Sequence, residues 1–174
     1  MKLVHLATAF FLAVAGLGTA QAQSNDDFLT IQLKDGPVVI QLMPDIAPKH
    51  VAQIKELAKK GEYDNVAFHR VMENGFDGSR AGTGGSSMPD LPAEFSSVPF
   101  ERGTIGMARS QDPNSANSQF FIMFADGGFL NGQYTVVGKV VAGMDAVDKI
   151  KRGEGGNGEV SNPDRMVKVT VGRN

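Results

Sequence analysis

The clearest pattern in the chain lies in two segments, Phe68-His69-Arg70-Val71 and Asn117-Ser118-Gln119-Phe120-Phe121-Ile122. In each segment, a polar side chain that could contact a substrate backbone, Arg70 or Gln119, lies among aromatic and aliphatic residues. Such a composition is typical of a β-strand. A cation and an amide could therefore meet apolar surface on one side of a sheet, which predicts an apolar binding site with two directional hydrogen-bonding groups.

Alternation along the two predicted strands assigns their faces, because successive residues of a strand point to opposite sides. Arg70 is predicted to share a face with Phe68, while His69 takes the other face. The face that carries Gln119 also carries two apolar residues, Phe121 and Met123. The opposite face carries Phe120, Ile122 and Phe124.

The first 22 residues have the features of a signal peptide. Met1-Lys2 is a short basic start, residues 3–17 are almost wholly apolar, and Ala20-Gln21-Ala22 fits a signal-peptidase site. The alternative, an uncleaved membrane anchor, is disfavoured because the apolar run is short for a spanning helix. Cleavage after Ala22 would leave 152 residues, about the size of one domain.

The charge balance and the absence of cysteine exclude several classes of protein. Without the leader, 16 basic residues face 19 acidic ones, for a formal charge of −3, and no dense basic run is present to neutralise phosphates. A nucleic-acid partner is therefore not expected. The chain has no cysteine, so packing alone must stabilise an exported fold. Residues after Ala22 contain no membrane-spanning apolar run, so no membrane association is expected after cleavage.

Hydrophobic periodicity predicts many short strands and two helices. Alternating apolar residues on either side of Asp35-Gly36 predict a β-hairpin from about Leu29 to Leu42. Pro48 can begin a helix that runs to about Lys60 and ends at Gly61. Further strands are predicted at Val66–Val71, Thr104–Ala108, Gln119–Phe124, Thr135–Val141 and Met166–Val171, with a second helix at Met144–Lys151. This pattern favours a β-barrel or sandwich over an alternating βαβ sheet.

Six segments in order resemble one known family, the cyclophilin-type peptidyl-prolyl cis-trans isomerases. They are Phe68 to Val71, Gly82 to Gly85, Gly103 to Ala108, Asn117 to Ile122, Phe129 to Gly132 and Tyr134 to Val140. The similarity covers residues 28–171, which the resemblance implies to be one domain. It also implies an all-β dominated fold, a closed eight-stranded antiparallel β-barrel capped by two α-helices. The chain is most similar to exported bacterial members.

The chemistry of the reaction explains the residue types in these segments. Amide resonance opposes rotation about a peptide bond, so a site that prefers the twisted amide accelerates the rotation without a nucleophile or a metal. In the twisted amide the prolyl nitrogen recovers its lone pair and becomes a better hydrogen-bond acceptor. A guanidinium can donate to it in a fixed direction without losing its proton. Arg70 is the predicted catalytic residue.

The resemblance also implies which residues bind the substrate. An apolar socket for the proline ring is expected from Phe76, Met107, Phe121 and Leu130. Gln119 resembles the glutamine that holds substrate backbone in the family groove. The substrate main chain is expected beside Ala108 and Arg109, although the family usually has asparagine where this chain has arginine. Two aromatic residues, Phe129 and Tyr134, stand where the family frequently has tryptophan and histidine.

One departure from the family pattern supports a second hypothesis. Members usually continue from the arginine to Gly-Phe-Met-x-Gln, whereas this chain has Glu73 to Ser79, with Phe76 displaced by one residue and the following segment shortened. The alternative to an efficient enzyme is a catalytically weak proline-segment binding module or periplasmic chaperone. A serine hydrolase that uses Ser118 or Ser115 with His69 is the enzyme-class rival, but the chain has no G-x-S-x-G elbow.

Each residue of the predicted site also has a purely structural explanation. Arg70 could form a surface ion pair, and Phe121, Met107 and Leu130 could be core. The resemblance favours the functional role in each case. It implies an exported, periplasmic isomerase that acts without cofactor and as a monomer. Its substrates are expected to be proline-containing segments of unfolded or partly folded proteins.

Overall fold

The computed structural model describes residues 24–69, 84–153 and 158–173. The described ranges contain eight strands, two α-helices and short 3-10 turns at Asn25–Asp27 and Gly128–Leu130. In chain order the elements are β1 (Phe28–Leu33), β2 (Gly36–Leu42), α1 (Pro48–Lys59), β3 (Val66–Ala67), β4 (Thr104–Met107), β5 (Phe120–Ile122), β6 (Val136–Ala142), α2 (Met144–Asp148), β7 (Arg165–Met166) and β8 (Lys168–Val171). No helix in these ranges has the length and apolarity that crossing a bilayer requires. The predicted signal peptide, residues 1–22, lies outside the described residues.

Six of the strands form one antiparallel sheet in the order β5-β4-β6-β2-β1-β8. The fold is all-β dominated, as predicted, but the prediction of a closed eight-stranded barrel is wrong, because this sheet is an open half-barrel. The other two strands, β3 and β7, form a separate two-stranded sheet with only two residues in each strand. Strands β7 and β8 pair with different partners, β3 and β1, and Val167 lies between them. The Val167 N–H donates to the Gln32 carbonyl oxygen at 2.8 Å. Among the described strands, β5 and β8 are therefore edges that do not pair with each other.

The predicted hairpin is confirmed as β1 and β2. Leu33 pairs with Gly36, which closes a tight turn, and Gly36 has φ +133°, a conformation that favours glycine. The side chains that alternate toward the core are all buried: Leu29, Ile31, Leu33, Val38, Ile40 and Leu42. Period-two patterning therefore sets the register of this hairpin, because a slip of one residue would expose the whole apolar set.

Helix α1 begins and ends close to its predicted bounds. Pro48 occupies the first helical position, and Gly61 follows the helix with φ +73°. No side chain of the N-cap residue, Ala47, caps the helix. Instead, the carboxylate of Glu94 accepts hydrogen bonds from the backbone N–H groups of Lys49, at 3.2 Å, and His50, at 3.1 Å. A residue distant in sequence thus satisfies the open donors at the helix start.

The contacts of Glu94 lower the pKa of its carboxyl group. Burial acts to raise the pKa, but hydrogen bonds from the His50 ring, the His50 N–H and the Lys49 N–H together outweigh it. The His50 side chain is buried, and its Nδ1 lies 2.7 Å from Glu94 Oε2. Because the folded pKa is depressed, the stabilisation is present above the ordinary glutamate pKa of about 4.3 and is lost as the pH falls through the folded pKa.

We expect Glu94→Gln to destabilise the protein by about 1–2 kcal/mol at pH 7, since it weakens a charged cap of α1. Urea unfolding at pH 7 and at a pH below the folded pKa of Glu94 measures this difference, which should shrink in acid because Glu94 is then protonated in both states. Glu56→Gln is the matched control, because the Glu56 carboxylate forms an exposed i,i+4 pair with Lys60, which contributes little to stability. An equal loss of stability at both pH values would contradict the capping role.

The remaining elements differ from their predicted bounds by a few residues. Strands β4, β5 and β6 are confirmed with shifted ends, whereas the strand predicted at Met166–Val171 is divided at Val167 into β7 and β8. Helix α2 ends at Asp148, before the predicted Lys151, because the Lys151 N–H donates to the Asp164 carboxylate at 2.8 Å. Of the strand predicted at Val66–Val71, β3 covers Val66–Ala67, and residues 70 and 71 lie outside the described residues.

Buried side chains form two clusters. The main core includes β1, β2 and α1 residues, such as Ile31, Ile40 and Leu57, together with Ile105 and Met107 of β4. The second core is smaller and consists of Phe100, Met123, Leu130 and Val136. Half-buried residues that pack against this second core include Phe121 and Tyr134. Of the predicted site residues, Phe121, Leu130 and Tyr134 therefore lie in or against the second core, whereas Met107 belongs to the main core.

Candidate active site

Phe121 is placed by the pairing of β5 with β4. It lies opposite Gly106 in the register and packs against the second core, whereas its neighbours Phe120 and Ile122 pack against the main core. The predicted alternation of faces is thus confirmed for these three residues, whereas Gln119, predicted on the face of Phe121, lines a cavity together with Phe120. The half-buried ring of Phe121 is the centre of the candidate site.

Three aromatic rings, those of Phe100, Phe121 and Tyr134, form what we term the ring cluster. Phe121 stacks on Phe100 with 5.7 Å between ring centroids and 22° between planes. It meets Tyr134 edge to face, with centroids 5.8 Å apart and planes at 86°. These are favourable aromatic geometries, and Phe100 is almost fully buried. The packing holds Phe121 from two directions.

Gly106 allows the ring cluster to lie directly over the backbone of β4. A Cβ atom at this position would lie 2.4 Å from Phe121 Cζ and 2.6 Å from Phe100 Cε1. Both distances are far below van der Waals contact, so any side chain here would displace one or both rings. The absence of a side chain at Gly106 therefore sets the depth at which Phe121 sits.

The segment from Gly127 to Gln133 forms one wall of the site and is attached to Phe100 by hydrogen bonds. The Phe100 N–H donates to Asn131 Oδ1 at 2.8 Å, and the Gly127 N–H donates to the Phe100 carbonyl oxygen at 2.7 Å. Gln133 Nε2 donates to the Phe129 carbonyl oxygen at 2.6 Å. Sequence reasoning missed Phe100, Asn131 and Gln133, because the Phe100–Asn131 and Arg109–Gln133 contacts join residues 31 and 24 positions apart.

Within this wall, the two predicted residues differ in exposure. Phe129 is exposed, at 57% of its surface, whereas Leu130 is buried in the second core beneath the ring cluster. Tyr134 comes directly after this wall, and Arg109 stacks on its ring, with the Arg109 guanidinium carbon 4.5 Å from the ring centroid. Phe129 and Tyr134 thus contribute accessible surface to the site, whereas Leu130 is buried in the core beneath the ring cluster.

Met107, predicted in the proline socket, lies in the main core, whereas Phe121 packs against the second core. Met107 is 1% exposed and packs in the main core, where it pairs across the strands with Phe120. Alternation along β4 is the reason, since Gly106 faces the ring cluster and its neighbours must face the other way. Ala108 is also buried, and its N–H already donates to the Gln119 carbonyl oxygen at 2.9 Å.

Gln119 lies immediately before β5, and its side-chain amide donates to the carbonyl oxygen of Gly84. It also lines an apolar cavity of about 430 Å³ between the end of α1, β3 and residues 84–86. None of the three rings of the ring cluster is among the described residues that line this cavity. His69 and Gly84, which flank residues 70–83, both line it, so it borders a part of the chain that the structure does not describe.

Two predicted site residues, Arg70 and Phe76, lie outside the described residues. Within the described ranges, no group of three or more histidine, aspartate or glutamate side chains is placed to hold a metal ion. The described residues bring together the half-buried ring of Phe121, the neighbouring ring of Tyr134 and the guanidinium of Arg109. Such a surface can hold a small apolar ring and a peptide backbone.

Comparison with known proteins gives consistent matches. The sequence model for "cyclophilin type peptidyl-prolyl cis-trans isomerase/CLD" matches residues 28–171. A "probable peptidyl-prolyl cis-trans isomerase" of Brucella suis is 59% identical over 95% of this chain and 94% of its own length. "Peptidyl-prolyl cis-trans isomerase B" of Escherichia coli is 38% identical over 71% of this chain and 83% of its own.

The fold also matches a solved structure, the Cryptosporidium parvum "cyclophilin type peptidyl-prolyl cis-trans isomerase" in the presence of the dipeptide Ala-Pro. Its TM-score is 0.74 at 25% sequence identity, and the match covers 84% of this chain and 99% of that one.

Proposed function

This chain belongs to the cyclophilin-type peptidyl-prolyl cis-trans isomerases, and from that membership we propose that Arg70 accelerates rotation about X-Pro bonds by donating a hydrogen bond to the prolyl nitrogen. The barrier to that rotation is about 18–20 kcal/mol, and it arises from conjugation of the nitrogen lone pair with the carbonyl group. A donor aimed at the nitrogen stabilises the twisted amide more than either planar form.

The half-exposed ring of Phe121, held by Phe100 and Tyr134, is the observation that carries this proposal. An apolar ring of fixed position can hold the proline side of the bond while the other side turns. That division of the substrate into a held part and a turning part converts binding energy into rate. The related Cryptosporidium structure, determined with Ala-Pro, supports a proline-containing peptide as the ligand of this fold.

The test is NMR exchange spectroscopy on a short X-Pro peptide with the protein in catalytic amount. We expect cis and trans signals to exchange within seconds or faster, whereas the uncatalysed bond takes tens to hundreds of seconds. Residues 23–174 would be used, and a peptide with alanine in place of proline is the control for non-specific line broadening. Peptide binding without faster exchange would favour the alternative, a proline-segment binding module.

We also propose that the clients are exported proteins in the periplasm. The apolar segment of residues 3–17 and the Ala20-Gln21-Ala22 site support cleavage after Ala22. N-terminal sequencing of the protein from fractionated bacterial cells checks this, with Gln23 expected as the first residue in the periplasmic fraction. Full-length protein in the cytoplasmic fraction would contradict it.

A further inference from the structure

Arg109 carries a positive charge at the edge of the ring cluster, and the residues around it hold that charge in place. We propose that Arg109 is a specificity-determining residue that favours substrates with an acidic residue immediately before or immediately after the proline. The inference rests on the proposed isomerase function and names the substrate class of the same site.

The distance from Arg109 to the proposed proline position is short enough for such a contact. The Arg109 guanidinium carbon lies 4.5 Å from the Tyr134 ring centroid, which lies 5.8 Å from that of Phe121. The guanidinium is therefore within about 10 Å of the Phe121 ring centre. An extended chain advances about 3.3–3.6 Å per residue, so a side chain one or two residues from a proline on Phe121 can reach the guanidinium.

The guanidinium of Arg109 is fixed by backbone carbonyl oxygens as well as by the Tyr134 ring. Nε and Nη2 both donate to the Gln133 carbonyl oxygen, at 3.3 and 2.9 Å. Nη1 donates to the carbonyl oxygens of Ser110, at 2.8 Å, and Gln111, at 3.3 Å. A charge held in this way loses less side-chain entropy when it pairs with a ligand than a freely moving lysine would.

The positive charge of Arg109 is not neutralised by a carboxylate among the described residues. Its hydrogen-bond partners there are all neutral carbonyl oxygens, and none of the ion pairs in the described ranges contains Arg109. By contrast, Arg102 pairs with Asp148 at 2.7 Å. A guanidinium has five N–H donors, and the bonds of Arg109 account for four of them. One Nη2 donor and the whole charge therefore remain for a carboxylate of the substrate.

The experiment compares kcat/KM for peptides that differ only in the residue immediately before the proline, with glutamate, glutamine or lysine at that position. A second series varies the residue immediately after the proline in the same way. We expect wild-type protein to prefer glutamate over glutamine by about threefold to fivefold in at least one series, as an exposed ion pair allows. The preference should be larger at an ionic strength of about 0.01 M than at about 1 M, because salt screens the charge.

Three variants test whether Arg109 is the origin of the preference. Arg109→Gln should reduce the glutamate-to-glutamine ratio to about one, and Arg109→Lys should retain part of it, since lysine keeps the charge but not the fixed fork. Lys59→Gln is the control, because Lys59 is an exposed cation at the end of α1 and its loss changes the net charge equally. A merely structural role would lower kcat/KM for all peptides and leave the ratio unchanged.

Two results would overturn the inference: a ratio of one in both wild-type series, or the same ratio in wild type and Arg109→Gln. Failure of the proposed function is a separate outcome, namely no acceleration of any peptide by the wild-type protein. In that case Kd values from NMR titration replace kcat/KM in the same comparison. Tighter binding of glutamate peptides that disappears in Arg109→Gln would then still support the role of Arg109.

Discussion

Replacing Arg70 with alanine should lower kcat/KM for an X-Pro peptide by about 10²–10³, the usual cost of removing one donor aimed at charge that develops in a transition state. The interaction is proposed to form with the prolyl nitrogen only when the amide is twisted. The loss should therefore appear in kcat, with KM nearly unchanged. NMR exchange measurements at several peptide concentrations separate the two constants, with the spontaneous rate as the lower limit.

Two further variants make the Arg70 experiment specific. Arg70→Lys keeps the positive charge but not the planar fork, so we expect it to recover only a small part of the lost rate. Arg173→Ala is the matched arginine control, because Arg173 stacks on Phe28 near the chain terminus, away from the ring cluster. Thermal unfolding of each variant confirms that it is folded. If Arg70→Ala kept kcat within about twofold of wild type, the proposed hydrogen bond would be excluded.

Gly106→Ala should impair both stability and catalysis, because its Cβ would lie 2.4 Å from the Phe121 ring and 2.6 Å from the Phe100 ring. Overpacking of this kind costs about 1–3 kcal/mol, which corresponds to a fall in Tm of roughly 3–10 °C for a chain of this size. A displaced Phe121 would also misplace the proline ring. Since a misplacement of about 1 Å can cost a factor of about 10², we expect kcat/KM to fall by about tenfold to a hundredfold.

Gly128→Ala is the matched glycine control for this second prediction. Gly128 is exposed in the neighbouring wall of the site, and the nearest atom to an added Cβ there is Asn131 Nδ2 at 3.8 Å, an ordinary contact. We expect this variant to keep wild-type activity. Rates are measured well below the Tm of Gly106→Ala, so that the protein is folded in each assay. Unchanged kcat/KM in folded Gly106→Ala would show that the position of Phe121 does not govern catalysis.

Local patterning predicted much of the fold correctly. Alternation identified the β1–β2 hairpin, and the apolar stripe after Pro48 identified α1, because both depend on residues close together in sequence. The same reasoning assigned Phe121 and Phe120 to opposite faces of β5. It did not identify Glu94 as the cap of α1, since that contact joins residues 44 positions apart.

The resemblance to the family predicted the site residues from their positions in the sequence. The structure shows that these residues lie in different environments, some buried in a core and others exposed at the site. Met107 was expected in the proline socket but packs in the main core, since Gly106 takes the face beneath the rings. Phe100 was not predicted, although its ring stacks on Phe121. Nothing in the residues around Phe100 indicates this partner, because the contact exists only once β4 and β5 have paired.

The order of apolar and polar residues was therefore sufficient to predict most of the strands and both helices, because burial on one face imposes a period that can be read along the chain, whereas the family was predicted from the resemblance of particular segments. Only the tertiary structure decided that the main sheet is an open half-barrel, that Arg109 lies on Tyr134 and that Phe121 is held by Phe100. These features depend on contacts between residues far apart in sequence. Side chains of one type can serve as core, as wall or as ligand contact, and the packed neighbours determine which role each one takes.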